Sequence, residues 1–89
     1  MSEKKEQAPL PEVTFSTFVL SLASSALVHL GEVPNPETGN TSRNEDLARN
    51  AIDLLTMLDD KTRNGLTPDE NKLMRDVLYE LRMKFVAHS

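Results

Sequence analysis

Few side chains in this sequence have types and spacings that could do chemistry. There is no cysteine, and the two histidines, His29 and His88, stand far apart. Without thiols there is neither a disulfide nor a thiolate metal site. His29 ends an apolar run, where the C-terminal pole of a helix favours a protonated ring. A pH switch or a ligand is one reading of it; a hydrogen-bonded histidine at an interface is the simpler one. His88 falls in a terminus expected to fray. Asp53, Asp59 and Asp60 are carboxylates about one and two turns apart. Asp53 points away from the apolar positions 51, 54, 55 and 58, so a solvated acidic face is expected rather than an acid–base pair. Ser24 and Ser25 have no histidine and acid arranged by the sequence to activate a hydroxyl.

The segment Asp60-Lys61-Thr62-Arg63-Asn64-Gly65 has the outline of a calcium loop, with Asp, Asn and Gly in the expected places. Thr62 stands where a further oxygen ligand is needed, Asn71 where the bidentate glutamate belongs, and Arg63 brings a positive charge. A helix-ending Gly65, an apolar contact from Leu66 and a capping Thr67 explain the segment better. The three glycines are isolated, so no glycine-rich phosphate loop exists. Phe15, Phe18, Tyr79 and Phe85 are too few to form a stacking platform for bases. Met57, Met74 and Met83 are expected to fill the core. No catalytic residue, cofactor or metal site is expected, and the chain does not read as an enzyme.

Composition narrows the partners. The formal net charge is −4, and Lys and Arg are scattered among acids. Such a chain is drawn neither to nucleic acid nor to anionic lipid. The start, Met1-Ser2-Glu3-Lys4-Lys5-Glu6, does not resemble a secretion signal, and with the absence of cysteine it suggests the cytoplasm. The acceptor pattern Asn40-Thr41-Ser42 therefore carries no weight.

The elements that must position these residues are helices. Residues 1–12 read as a disordered polar tail, with Pro9 and Pro11, ahead of a single helical domain over 13–87. A first helix is expected over about 14–30, capped by Thr14 or Ser16 and ended by a left-handed Gly31. Pro34 and Pro36 forbid its continuation. A second is expected over about 45–63, with Leu47, Ala51, Leu54, Leu55 and Leu58 at helical spacing and Glu45 and Asp46 at its positive pole. A third is expected over about 68–86, opened by the capping box Thr67-Pro68-Asp69-Glu70. Its stripe holds Leu73 or Met74, Val77, Leu78, Leu81 and Phe85. The fold class is all-α: a three-helix antiparallel bundle, or a hairpin plus a helix, completed by oligomerisation.

The first helix is unusual. From Val13 to Gly31 there is no Asp, Glu, Lys or Arg. Its apolar residues, from Phe15 and Phe18 round to Leu20 and Leu27, fill an arc of about 200°, where a helix packed on two neighbours buries roughly 100–140°. The opposite stripe is Thr17, Ser21, Ser24, Ser25 and Val28. Ser21 and Ser25 have the small-xxx-small spacing of tight helix crossings, and their hydroxyls can bond the carbonyl one turn back. Three readings follow: the central helix of a monomeric bundle, burial by self-association, or contact with a membrane or a different protein. A spanning helix is disfavoured, because the stretch reaches the required length only by counting its hydroxyl residues, His29 and Gly31. Such a strip is expected to be shielded from water on nearly every side. A serine side open to solvent in a lone subunit would bring down the argument for association.

The run from Phe15 through Glu32 resembles the signature of a small bacterial family catalogued as a domain of unknown function. Two later segments are similar to it as well: Ala51 through Leu55 with Met57-Leu58 and Lys61-Thr62, and Leu78 through Lys84. The resemblance covers residues 13–86. It implies a stand-alone cytoplasmic bacterial protein, and it carries no activity, substrate or catalytic residue. The residues themselves point to a homo-oligomeric protein-interaction module. The alternative is an adaptor for a membrane surface or a partner protein. The expected contact residues are Phe18, Leu20, Ser21, Ala23, Ser24, Ser25, Leu27 and Val28.

Overall fold

The computed structural model describes residues 12–87. The polar tail expected before the domain lies outside them except for Glu12, and so does His88. Three helices follow in order, α1 (Phe15–His29), α2 (Glu45–Lys61) and α3 (Pro68–Ala87), and there is no strand among the described residues.

The helix ends follow from local hydrogen bonding. Thr14 caps α1: its hydroxyl accepts from the Thr17 amide at 3.0 Å, and Thr17 Oγ1 accepts in return from the Thr14 amide at 3.1 Å. At the other end the Glu32 amide donates to Leu27 O and the Gly31 amide to Val28 O, both at 3.0 Å. This paired closure needs a left-handed residue after the cap, and Gly31 supplies it with φ +77. Asn44 caps α2 by accepting from the Leu47 amide at 3.0 Å. Thr67 and Glu70 form the expected box, the Thr67 amide donating to Glu70 Oε1 at 3.0 Å and the Glu70 amide to Thr67 Oγ1 at 3.1 Å.

The end of α2 differs from the sequence reading. The helix stops at Lys61, and Thr62 is the cap. The Thr62 hydroxyl donates back to Leu58 O at 2.7 Å, which satisfies a carbonyl that Gly65 was expected to leave to a left-handed turn. Gly65 is not at positive φ; its amide closes a turn onto Thr62 O at 2.8 Å. Arg63 pairs with Asp60, the carboxylate that a calcium ion would have required.

Each helix packs on both others, so the fold is a bundle and not a hairpin with a separate helix. The Asn44 amide donates to His29 O at 2.8 Å, so α2 starts where α1 ends and runs back along it. Arg82 donates to Thr56 Oγ1 at 2.9 Å, and the Arg49 guanidinium lies over the Phe85 ring at 5.3 Å; α3 is therefore antiparallel to α2 and parallel to α1. The connector is fastened to the end of α3. Arg43 reaches Leu30 O at 3.5 Å and Phe85 O at 3.4 Å, and Lys84 meets Glu32 at 3.6 Å.

The core comprises Val19, Ala23, Ala26 and Leu30 of the α1 segment, Ala48, Ala51, Ile52 and Leu55 of α2, and Met74, Leu78 and Leu81 of α3. Alanines in both α1 and α2 permit close approach of their backbones. Ala48 and Ile52 face inward, and Leu47 and Leu54, assigned to the stripe by spacing, are exposed. Of the three methionines expected in the core, only Met74 is buried; Met57 and Met83 are exposed.

Candidate functional site

The sequence drew attention to α1, and the structure shows which part of it the bundle uses. Val19, Ala23, Ala26 and Leu30 fill one quadrant and are buried. Phe15, Leu22 and Leu27 pack against that core and are partly covered. The rest of the circumference faces outward. Phe18 and Leu20 are 49% and 48% exposed, and Ser21, Ser24 and Ser25 are exposed between them, with Val28 partly covered. Of the eight expected contact residues, Ala23 is the one buried within the single chain. It is 8% exposed, because it falls on the side of α1 turned towards the other two helices.

The expectation of shielding on nearly every side is not met within one chain. The serine side stands in solvent in the single chain, so the argument for association drawn from the uncharged strip falls. Exposed hydroxyls are hydrated at little cost. Nor do these serines bond back to the preceding turn; in α1 Thr17 does so, donating to Thr14 O at 3.1 Å, and in α2 Thr56, at 2.8 Å from Ile52 O. Two apolar ridges with a floor of short side chains between them remain to be accounted for.

The first ridge borders a groove between α1 and α3, about 320 Å³ in volume. Leu20, Leu27 and Val77 line it, Ala23 and Leu81 form its floor, and Asp76, Glu80 and Lys84 form its rim. The second ridge is Phe18 with Leu22, on the flank of α1 turned to α2. The α2 flank bearing Arg49 and Thr56 faces α3, so Leu47, Leu54 and Leu58, on the other flank, extend this second apolar strip. Leu47 and Leu54 are nearly half exposed. An apolar strip on each side of an uncharged helix is more than the scattered surface leucines that need no explanation.

Ser24, Ser25, His29 and Glu37 line one shallow hollow with Asn35 and Pro36, a juxtaposition the sequence did not show because Glu37 comes from the connector. No hydrogen bond among the described residues joins either serine to His29, or His29 to Glu37, so the hydroxyls are not activated there. Asp53 and Asp60 are exposed, whereas Asp59, expected on the same solvated face, is partly covered. Among the described residues, no three His, Asp or Glu side chains converge to hold a metal. Among the described residues, no helix is long and apolar enough to cross a membrane.

The family model described as Domain of unknown function (DUF1844) matches residues 12–87. The chain belongs to that family. The match begins just before the Thr14 cap and ends with α3, so the DUF1844 unit is the entire bundle with its connector. No curated protein and no solved structure matches the chain. What this DUF1844 domain does must therefore be argued from the outer face of α1.

Proposed function

We propose that the protein is a homo-oligomeric protein-interaction module whose copies meet through the outer face of α1. One observation carries the reading. Phe18 and Leu20 remain about half exposed on the two flanks of α1, and Leu47 and Leu54 of α2 are exposed to a similar degree. Each chain bears a net charge of −4, so two copies repel one another except where they present no charge. The outer face of α1 is such a place, and a second copy is the partner that it suits. Burial of apolar area contributes about 25 cal/mol per Å². A contact made by one helix and its flanks is at the small end of stable interfaces, which cover about 800 Å² on each partner. Association is accordingly expected to depend on concentration.

The test is light scattering of the full chain beside the Ser25→Arg and Leu20→Glu variants. Ser25 is in solvent in the single chain, so an arginine there leaves the fold intact, which circular dichroism would verify. The expected result is an oligomeric mass for the parent and the monomer mass for both variants. Equal masses for all three would overturn the proposal. The adaptor reading is distinguished by co-sedimentation with anionic liposomes, where recovery of the parent chain in the pellet would favour a membrane surface.

A further inference from the structure

We infer that the connector between α1 and α2 is a strap, bolted by Arg43 across the C-terminal ends of α1 and α3, and that the strap and the last turn of α3 open together as one unit. The inference does not depend on association between copies. Because α3 runs parallel to α1, two negative helix poles lie side by side at this end of the bundle. Each pole ends in carbonyls that its own helix leaves without partners. Arg43 serves both. Its guanidinium donates to Leu30 O at 3.5 Å and to Phe85 O at 3.4 Å. Both bonds are long, but the donor is charged and the place is partly buried, which strengthens them.

The strap lies close against the end of α1. A Cβ added at Gly31 would stand 3.5 Å from both Arg43 Cβ and the Ser42 carbonyl carbon. The Asn44 amide donates to His29 O at 2.8 Å. At the start of the strap, Glu32 meets Lys84 of α3 at 3.6 Å, with both side chains largely covered. The connector therefore grips α3 at two points, once with each sign of charge. The core, by contrast, holds this end of α3 weakly. Leu81 is its last buried residue, Phe85 is only partly buried, and Val86 is 70% exposed. The Phe85 ring has the Arg43 and Arg49 guanidinium groups at 5.6 and 5.3 Å from its centroid. The final turn is thus held by charged groups of the connector and of the start of α2. Segments with few buried apolar contacts open more readily than the core, in contiguous units. Arg43 is the contact common to the strap, α1 and α3, so the segments it joins lose protection together. Lys84 also stands on the rim of the groove between α1 and α3, so opening of the strap loosens one wall of that groove.

Amide hydrogen exchange of the full chain, read residue by residue by NMR, tests this. In the parent chain the amides of Glu32 and Asn44 and those of Phe85 and Val86 are expected to share one opening, and to exchange well before the amides of Leu55 and Leu78 in the core. In Arg43→Gln they are expected to exchange about tenfold faster as a group. The Thr17 and Glu70 amides, capped at the far end of the bundle, are expected to be unchanged. Arg43→Lys keeps the charge but lacks the planar fork that reaches two carbonyls, so the loss is expected to persist. Parental rates in Arg43→Lys would overturn the bolt in favour of a simple charge at the helix poles. Acceleration of one segment without the other would overturn the common unit. A uniform rise across all three helices would overturn it too, because Arg43 would then serve general stability. If Arg43→Gln does not fold, unequal opening of the two segments in the parent chain is enough to overturn the inference, and equal opening supports it.

Discussion

Leu54 and Leu55 are neighbours in sequence with opposite fates. Leu55 is fully buried where α2 meets the other two helices, whereas Leu54 is 42% exposed beside α1. Helical spacing assigned both to the stripe, because periodicity gives a face but not the side on which a second neighbour will close it. Leu55→Ala is expected to lower stability by about 2–5 kcal/mol, through lost burial and the cavity left behind. Leu54→Ala should cost under about 1 kcal/mol. Urea unfolding of the two variants at low protein concentration tests the assignment, and equal losses would contradict it. The methionines show the same ambiguity: Met74 is in the core, while Met57 and Met83 are on the surface. No spacing rule separates them, since a flexible thioether is at home in either setting.

At the scale of elements, legibility depended on whether an end is decided locally. Thr14, Gly31 and the Thr67–Glu70 box were readable because each terminus is closed by residues adjacent in sequence. The end of α2 was not. Thr62 closes it with its own hydroxyl, and that competitor to a glycine cap has no distinctive pattern. Gly31 is one of two glycines at positive φ, with Gly39, and it closes α1. An added Cβ would make only ordinary contacts, with Arg43 Cβ and the Ser42 carbonyl carbon at 3.5 Å, so the strain comes from the φ of +77. Gly31→Ala is therefore expected to destabilise the fold by about 1 kcal/mol or more, measured by thermal unfolding. Gly65→Ala should have a far smaller effect, since its φ is not positive and the nearest contact is ordinary. A comparable loss at the two sites would contradict this account of the turns. The apolar character of α1 was plain from the sequence. That the bundle uses only one quadrant of it was not, because this follows from the alanine contacts that set how closely α2 approaches.

For the whole molecule, charge and exposure have to be considered together. The acidic surface keeps copies apart, and the outer face of α1 is exempt from that repulsion. Added salt screens like charges and leaves an uncharged contact intact. Association is thus expected to tighten from low to physiological ionic strength, as followed by gel filtration at fixed concentration. Weakening under the same change would mean that ion pairs, not the α1 ridges, hold the copies together. The hollow formed by Ser24, Ser25, His29 and Glu37 borders this face and would be partly covered by a second copy. That position fits an edge of an interface better than a reacting centre.

On the proposed association, one chain leaves the outer side of α1 for another chain to cover. Sedimentation equilibrium of the unmodified protein over a wide concentration range addresses it most directly. The account predicts an average mass that climbs from the 10.0 kDa of a single chain towards twice that value as concentration rises. A mass fixed at 10.0 kDa up to about millimolar protein would contradict it.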